Sequence, residues 1–436
     1  METVLLYILG ILIIIVGLAV SIGLHELGHL IPAKRFGVRV GQYMIGFGPT
    51  LFSRVRGETE YGLKAIPLGG YISMAGMYAP AREGGRGRTA TTSMFETLVQ
   101  DDTKADDENG RTFFQLPVYK RVIIMLGGPF MNLLIAIVLY AIVLCGFGIA
   151  QTTTTIGSVS ECVVPATSQS QECTSDDPVA PGVEAGIQPG DRIVSMNGQS
   201  IATWEEATAI IRASAGKSLD IVVDRDGTEV ELTATPLLTE RYVYDRNGSP
   251  VKDSSGALVT EEVGFLGIGS ATAIVQQPVT AVLPLVGDRI VGILTVIVQL
   301  PQRLVDVAVA AFGPGERDPN GLIGVVGVGR LAGEITSLNE VPIASRAAGL
   351  IEVVASLNIA LFVFNLIPLV PLDGGHIAIA LFDGIRRFFA KLFKRPAPGP
   401  IDATRILPVT FIVTILLGAM TLLLVYADIV KPVTLL

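Results

Sequence analysis

The sequence predicts a polytopic α-helical membrane protein with four transmembrane helices, a membrane-associated β-hairpin and an inserted α+β domain. Half of its 436 residues are hydrophobic, and the mean hydropathy is strongly positive at +0.56, too apolar for an ordinary soluble enzyme. The apolar residues are clustered into four stretches that each reach the roughly 20 residues needed to cross a bilayer as helix. A long polar segment with strand and turn patterning separates the second stretch from the third.

The first span occupies residues 4–33 within an N-terminal segment 1–36. It reads as a retained helix and not a secretory signal, because Glu2 replaces the expected basic start, the apolar run is too long, and no small-residue cleavage site ends it. Residues 37–79 follow as a re-entrant β region. Its Gly-punctuated stretches "GQYMIGFGPTLFSR" and "YGLKAIPLGGYISMAGM" suit bent strands, and residues 61–77 are expected to form a hairpin dipping toward a site. Non-helical backbone at membrane depth requires protein or a wet cavity around it. Residues 80–116 turn polar and are expected to be a cytoplasmic loop.

The second span lies in 117–149, the inserted domain in 150–240, and an extracytoplasmic linker in 241–346. Within that linker, residues 282–312 are apolar, but the uninterrupted part between Arg289 and Arg303 covers only about 20 Å of helix. It is expected to lie on the membrane surface. The Gly-rich "NGLIGVVGVG" at 320–329 lacks the Lys and Ser/Thr of a phosphate loop and is read as a close-packing or loop element. The third span covers 347–382, a basic cytoplasmic loop 383–405, and the fourth span 406–430.

Lys and Arg accumulate on the cytoplasmic side of such membranes. Residues 34–121 carry 13 Lys+Arg and 383–405 carry 6, whereas 150–281 carry 7 against 18 Asp+Glu. Both termini are therefore expected outside, in a bacterial plasma membrane. Cys162 and Cys173 fall in the exterior segment, where a disulfide closing a short loop suits the oxidising side. Two free thiols are the alternative.

In the inserted segment, "GDRIVSMNG" reads as a strand ending in an Asn-Gly turn. "TWEEATAIIRAS" reads as a helix capped by Thr203 with Glu206 three residues on, and "LDIVVDRDGTEVELTA" as a hairpin. This order of elements resembles a PDZ domain of the bacterial protease-associated type, a fold that accepts a peptide or chain terminus at a sheet edge.

The chemistry begins at "GLHELGHLIPAKRF", residues 23–36. On a helix, His25 and His29 differ by four residues, so both imidazoles project from one face and can share a metal, with Glu26 beside a metal-bound water. Zinc suits this set, and three protein ligands with one open position is the catalytic arrangement. The third ligand must come from elsewhere. "NLIPLVPLDGGH" at 365–376 holds the chain's one remaining histidine and offers Asp373 and His376, at similar depth to HELGH. His25 precedes Lys34 by nine residues, which sets the site about 13 Å below the cytoplasmic boundary. Ionisable groups inside a span are costly unless paired or metal-bound.

HELGH in the first span, "GGPFMN" at 127–132 in the second, the PDZ-like segment and "NLIPLVPLDGG" in the third together resemble the site-2 protease family, of the RseP type. The resemblance implies that His25, His29 and Asp373 hold Zn²⁺, that Glu26 is the general base, and that Asn365 helps hold substrate backbone. Pro368 loosens the helix next to that ligand. Gly69, Gly70 and Tyr71 lie on the hairpin proposed to offer strand pairing to an unwound substrate. It further implies regulated cleavage of single-span membrane proteins such as anti-sigma factors. The lipid bilayer is the other expected partner, and no nucleic acid is expected. The single PDZ segment and the long polar loop depart from several relatives and bear on substrate filtering. Two other readings compete: a membrane-bound zincin degrading soluble or misfolded chains, and a non-catalytic PDZ scaffold with a structural metal.

Overall fold

The computed structural model describes residues 2–78, 88–91, 111–168, 172–244, 251, 253, 257–315, 317–318, 321–396, 398–399 and 407–434. They divide into two compact units, unit 1 (Met1–Phe147 with Gln277–Leu436) and unit 2 (Gly148–Gln276).

Unit 1 opens with α1 (Glu2–Arg35), then β1 (Val40–Arg56), β2 (Thr59–Tyr78) and β3 (Arg88–Thr91), which form one antiparallel sheet in that order. A 3-10 turn at Phe113–Gln115 leads into α2 (Val118–Ala141), which continues as a π-helical segment, Ile142–Phe147. The β region corrects the expected hairpin at 61–77. A tight turn lies at Gly57, in the left-handed conformation (φ 65°), and 61–77 does turn back, but its two arms, 60–63 and 70–73, flank 42–45 of β1 and pair with it instead of with each other. Most of the expected loop 80–116 lies outside the described residues, although 88–91 form β3 and 113–115 the 3-10 turn.

Unit 2 contains β4 (Ile149–Val159), α3 (Pro181–Glu184), β5 (Arg192–Met196), β6 (Gln199–Ser200), α4 (Trp204–Ala213), β7 (Leu219–Arg225), β8 (Thr228–Ala234), β9 (Leu237–Tyr242), β10 (Thr260–Phe265) and β11 (Ile268–Val275). Its main sheet runs β11-β4-β5-β7-β8. The Asn197-Gly198 and Asp226-Gly227 pairs all have positive φ and close two-residue turns, as their sequence requires. Thr203 and Glu206 form a reciprocal capping box on α4. Cys162 and Cys173 are disulfide-bonded. The boundary expected at residue 240 is corrected: β11 pairs with β4, so this unit runs to Gln276 and takes in the start of the expected linker.

A buried carboxylate ties this unit together. Asp191, 1% exposed, accepts 2.7 Å hydrogen bonds from Arg225 Nε and Nη2, and the Gln188 N–H donates to it at 2.9 Å. The guanidinium holds Asp191 below the usual carboxylate range. Its stabilisation is therefore present above the unfolded carboxylate pKa and lost as pH falls through the lower folded value. Asp191→Asn is expected to cost unit 2 about 2 kcal/mol at neutral pH and to flatten its acid sensitivity below about pH 4. Denaturant unfolding followed by Trp204, the chain's only tryptophan and a residue packed on this core, checks both.

Unit 1 resumes with α5 (Val282–Val298), α6 (Leu300–Phe312), α7 (Val325–Ser337), α8 (Ile343–Asn365), α9 (Asp373–Leu392) and α10 (Leu407–Val430). Among the described residues, α1, α2 with its π segment, α5, α8 and α10 are long and apolar enough to cross a membrane. Three expectations change here. The stretch 282–312 is two helices, broken at Gln299 ahead of Pro301, and the first is not too short to span. The third span ends at Asn365, because Pro368 and Pro371 cannot continue the helical hydrogen-bond ladder. Residues 373–392, expected as the end of a span and a loop, form the separate helix α9. The "NGLIGVVGVG" element is half helix: α7 begins at Val325, and Gly327 packs against Asp428 of α10.

Contacts fix the helix directions. Gly28 of α1 meets Gly127 and Gly128 of α2, while His25 lies by Asn132 and His29 by Ile124, so α1 and α2 are antiparallel. Gly17 packs on Val354, and Ser21 accepts from Asn358 Nδ2 at 2.9 Å, so α1 and α8 run parallel.

Candidate metal centre

The site is assembled from the lower part of α1, the middle of α2 and the first turn of α9. His25, Glu26 and His29 are all buried in α1, at 8%, 4% and 0% exposure, and Asp373 is 5% exposed. His25 Nε2 lies 3.1 Å from His29 Nε2, and Asp373 Oδ2 lies 3.3 Å from the first and 3.4 Å from the second. Among the described residues, these three form the one cluster of metal-ligand type.

The triangle fits zinc. Tetrahedral Zn²⁺ with bonds of about 2.0–2.1 Å sets its ligand atoms about 3.3 Å apart. Asp373 Oδ2 is buried without a hydrogen-bond partner, and it converges with two imidazole nitrogens, so three atoms able to donate a lone pair share one buried point. Such an arrangement is costly without a cation between the groups. Sequence reasoning left Asp373 and His376 both open. The structure brings Asp373 into the cluster and leaves His376 buried on the same helix, outside that group.

Each ligand is held by a feature of the chain. His29 Nδ1 lies 2.7 Å from the Ile124 carbonyl, which accepts its N–H and leaves Nε2 to face the cluster. Pro129 lies within α2 and has no N–H to give the Met125 carbonyl four residues back, one residue along from the Ile124 carbonyl that His29 uses. Gly128 packs against both imidazoles: an added Cβ would lie 2.2 Å from His29 Nε2 and 2.7 Å from His25 Cε1. Gly28 and Gly127 bring the two backbones together, with an added Cβ on Gly127 only 2.0 Å from the Gly28 carbonyl oxygen.

Asp373 opens α9. Gly374 and Gly375 let that first turn tuck under the 366–372 turn, where added Cβ atoms would lie 2.4 Å from the Ile367 oxygen and the Val370 nitrogen. Further along, Asp383 of α9 pairs with Arg121 of α2 at 2.6 Å, both buried, which sets the register of α9 on α2.

Of the residues expected to position substrate, Gly70 is the one beside the reactive group: an added Cβ there would lie 3.1 Å from Glu26 Cγ. Gly69, at φ 135°, abuts the Phe47 ring instead. Tyr71 is 1% exposed and donates to Gln42 Oε1 at 3.1 Å. Alternation along β2 puts neighbours on opposite faces. Asn365 ends α8 half-buried, and Pro368 is exposed in the turn that follows.

Asn132 is the residue that sequence reasoning quoted in a motif but gave no role. It is 0% exposed, its amide nitrogen lies 3.0 Å from His25 Nδ1, and its Oδ1 has no partner. With Nε2 turned to the cluster, His25 carries its proton on Nδ1 and needs an acceptor there. A half-turn of the amide supplies Oδ1 and satisfies both atoms. The signal was an asparagine within an apolar span, which is costly without such a partner. Asn132→Leu is expected to weaken zinc binding about 10–100-fold, and Asn132→Asp, which keeps an acceptor, to restore most of it. Competition with a metal-sensitive dye on the purified protein measures this.

The model of peptidase family M50 matches residues 13–395 of the chain. The chain is 34% identical over 442 residues to zinc metalloprotease Rip1 of Mycobacterium tuberculosis, covering 99% of both proteins. It is 32% identical to zinc metalloprotease Rip1 of Mycolicibacterium smegmatis over 98% of each. To metalloprotease MmpA of Caulobacter vibrioides it is 29% identical, over 87% of this chain and 88% of that protein.

Proposed function

Because the chain belongs to peptidase family M50 and is a multi-pass membrane zinc metalloprotease, we propose that it cuts single-span membrane proteins within or near their transmembrane segments. This is regulated intramembrane proteolysis, with substrates of the anti-sigma-factor kind. The observation that carries the reading is a buried His25–His29–Asp373 triangle with Glu26 beside it, built from a helix apolar enough to span. A protease acting only on soluble chains has no need of a site among such helices.

Zinc, when bound by these three residues, supplies Lewis acidity that lowers the pKa of a water and polarises a carbonyl. Glu26 accepts the proton of the attacking water and returns it to the leaving amine. Asn132 and the Ile124 carbonyl hold the two imidazoles in the tautomer that presents Nε2. Gly70 keeps β2 close to Glu26, where the strand's backbone can pair with an unwound substrate segment, with Gly69 and Tyr71 anchoring that stretch and Asn365 and Pro368 lining the approach.

On this reading α1, α2, α8 and α10 cross the membrane, both termini and unit 2 lie outside, and the site lies toward the cytoplasm. The apolar pair α5–α6 enters and leaves on one side. The Gln277 N–H at its start donates to the Leu144 carbonyl at the end of α2 (2.9 Å), and Phe312 at its end stacks on Tyr426 near the end of α10 (5.0 Å). Unit 2 is read as a PDZ-type module whose edge strand β11 takes an extended exterior segment of substrate.

The test is cleavage by the purified protein in vesicles. A single-span substrate is expected to be cut, with cleavage stopped by a chelator and restored by zinc, and an unfolded soluble chain is expected to be spared. Preference for the soluble chain sinks the intramembrane reading. Trimming the substrate's exterior segment in the same assay reads the contribution of unit 2.

A further inference from the structure

We propose that the second half of α9 is a docking surface for anionic phospholipid. The inference rests on this chain being a membrane protein and not on what it cleaves. Leu381, Phe382, Ile385, Phe388, Phe389, Leu392 and Phe393 are 48–65% exposed. Their spacing of three and four residues puts them on one face of the helix. Ala380 and Asp383, which are buried, lie on the opposite face, toward the protein. The aromatic members touch one another: Phe389 stacks on Phe393 at 6.2 Å and meets Phe388 edge-on at 5.8 Å.

Such a face needs a cover, and the charge pattern says which. Arg386, Arg387, Lys391, Lys394 and Arg395 are interleaved with the apolar residues. The acidic group in this half of the helix, Asp383, is already engaged by Arg121 at 2.6 Å and Arg387 at 3.1 Å. A net cationic helix with a broad aromatic face is the pattern that lies in a headgroup region and selects anionic lipid. α9 is not among the helices apolar enough to span.

Position supports the same occupant. α9 runs antiparallel along α2, with Gly384 reaching Val118, the first residue of α2. Residues 385–393 therefore continue past the end of an apolar helix, where hydrocarbon gives way to headgroups. A basic residue at an anionic surface favours it by about fivefold, so several together give strong selection over zwitterionic lipid.

The experiment places a reporter in this face. Phe393→Trp in a Trp204→Phe background leaves one tryptophan, and the full chain is reconstituted in mixed phosphatidylglycerol and phosphatidylcholine vesicles. Either the first or the second lipid is dibrominated, at equal mole fraction. Tryptophan quenching is expected to be at least about twofold greater with brominated phosphatidylglycerol. Replacing Arg386, Lys391, Lys394 and Arg395 with glutamine is expected to abolish the difference while bound zinc is unchanged. No quenching by either lipid, as a second copy or a soluble partner on the face would give, overturns the proposal. Equal quenching by both lipids, or a difference that survives the glutamine substitutions, does so as well.

Discussion

Glu26→Gln is expected to lower kcat by about 10²–10⁴-fold while the protein still carries one zinc. The substitution keeps the size of a side chain that is 4% exposed and packed close to Gly70, so the fold has no reason to change. What it removes is the carboxylate that takes a proton from water. Because Glu26 is not a member of the His25–His29–Asp373 triangle, metal content should not fall with activity. Elemental analysis beside a cleavage assay separates the two effects. Loss of zinc in the variant would make Glu26 a ligand or a structural residue. Full activity with zinc retained would remove it from the reaction, and survival of function without cleavage would favour the scaffold reading.

Gly128→Ala should do the reverse, emptying the metal site first. A methyl group there falls 2.2 Å from His29 Nε2 and 2.6 Å from His29 Cε1, distances no carbon can occupy, so one imidazole must leave its place. Neither ring can swing far: His29 is fully buried, and His25 is confined between Asn132 and Asp373. Zinc affinity is expected to fall by more than the roughly 10–100-fold typical of losing an outer hydrogen bond, and cleavage with it. Zinc titration at constant protein, with gel filtration to verify the fold, gives the result. A variant that binds zinc like the parent would mean that the helices α1 and α2 stand further apart than described.

Local geometry made part of this site readable in advance. The four-residue step from His25 to His29 is a property of any α-helix, so their shared face needed no tertiary information. Choosing Asp373 over His376 did need it, and came from family resemblance. The break after Asn365 was present as two prolines, yet the apolar residues on both sides of it, up to Val370 and again from Ile377 to Phe382, let 347–382 read as one span. The pairing of β11 with β4 joins strands more than a hundred residues apart, which no local pattern encodes. The turn at Gly57 was missed because "RGETE" is one of several glycine signals in that region. Asn132 went unassigned because its partner, His25, lies on another helix.

The antiparallel pairing that sets Val275 opposite Ile149 has an evolutionary corollary. The polypeptide departs from the inserted domain beside the point where it entered, so the host helices experience the insertion as a loop whose ends already meet. Closure entropy grows only slowly with the length of what is enclosed. A lineage could therefore duplicate, exchange or discard this module without redesigning the bundle that holds the metal, and acquire new selectivity at little thermodynamic risk to its catalyst.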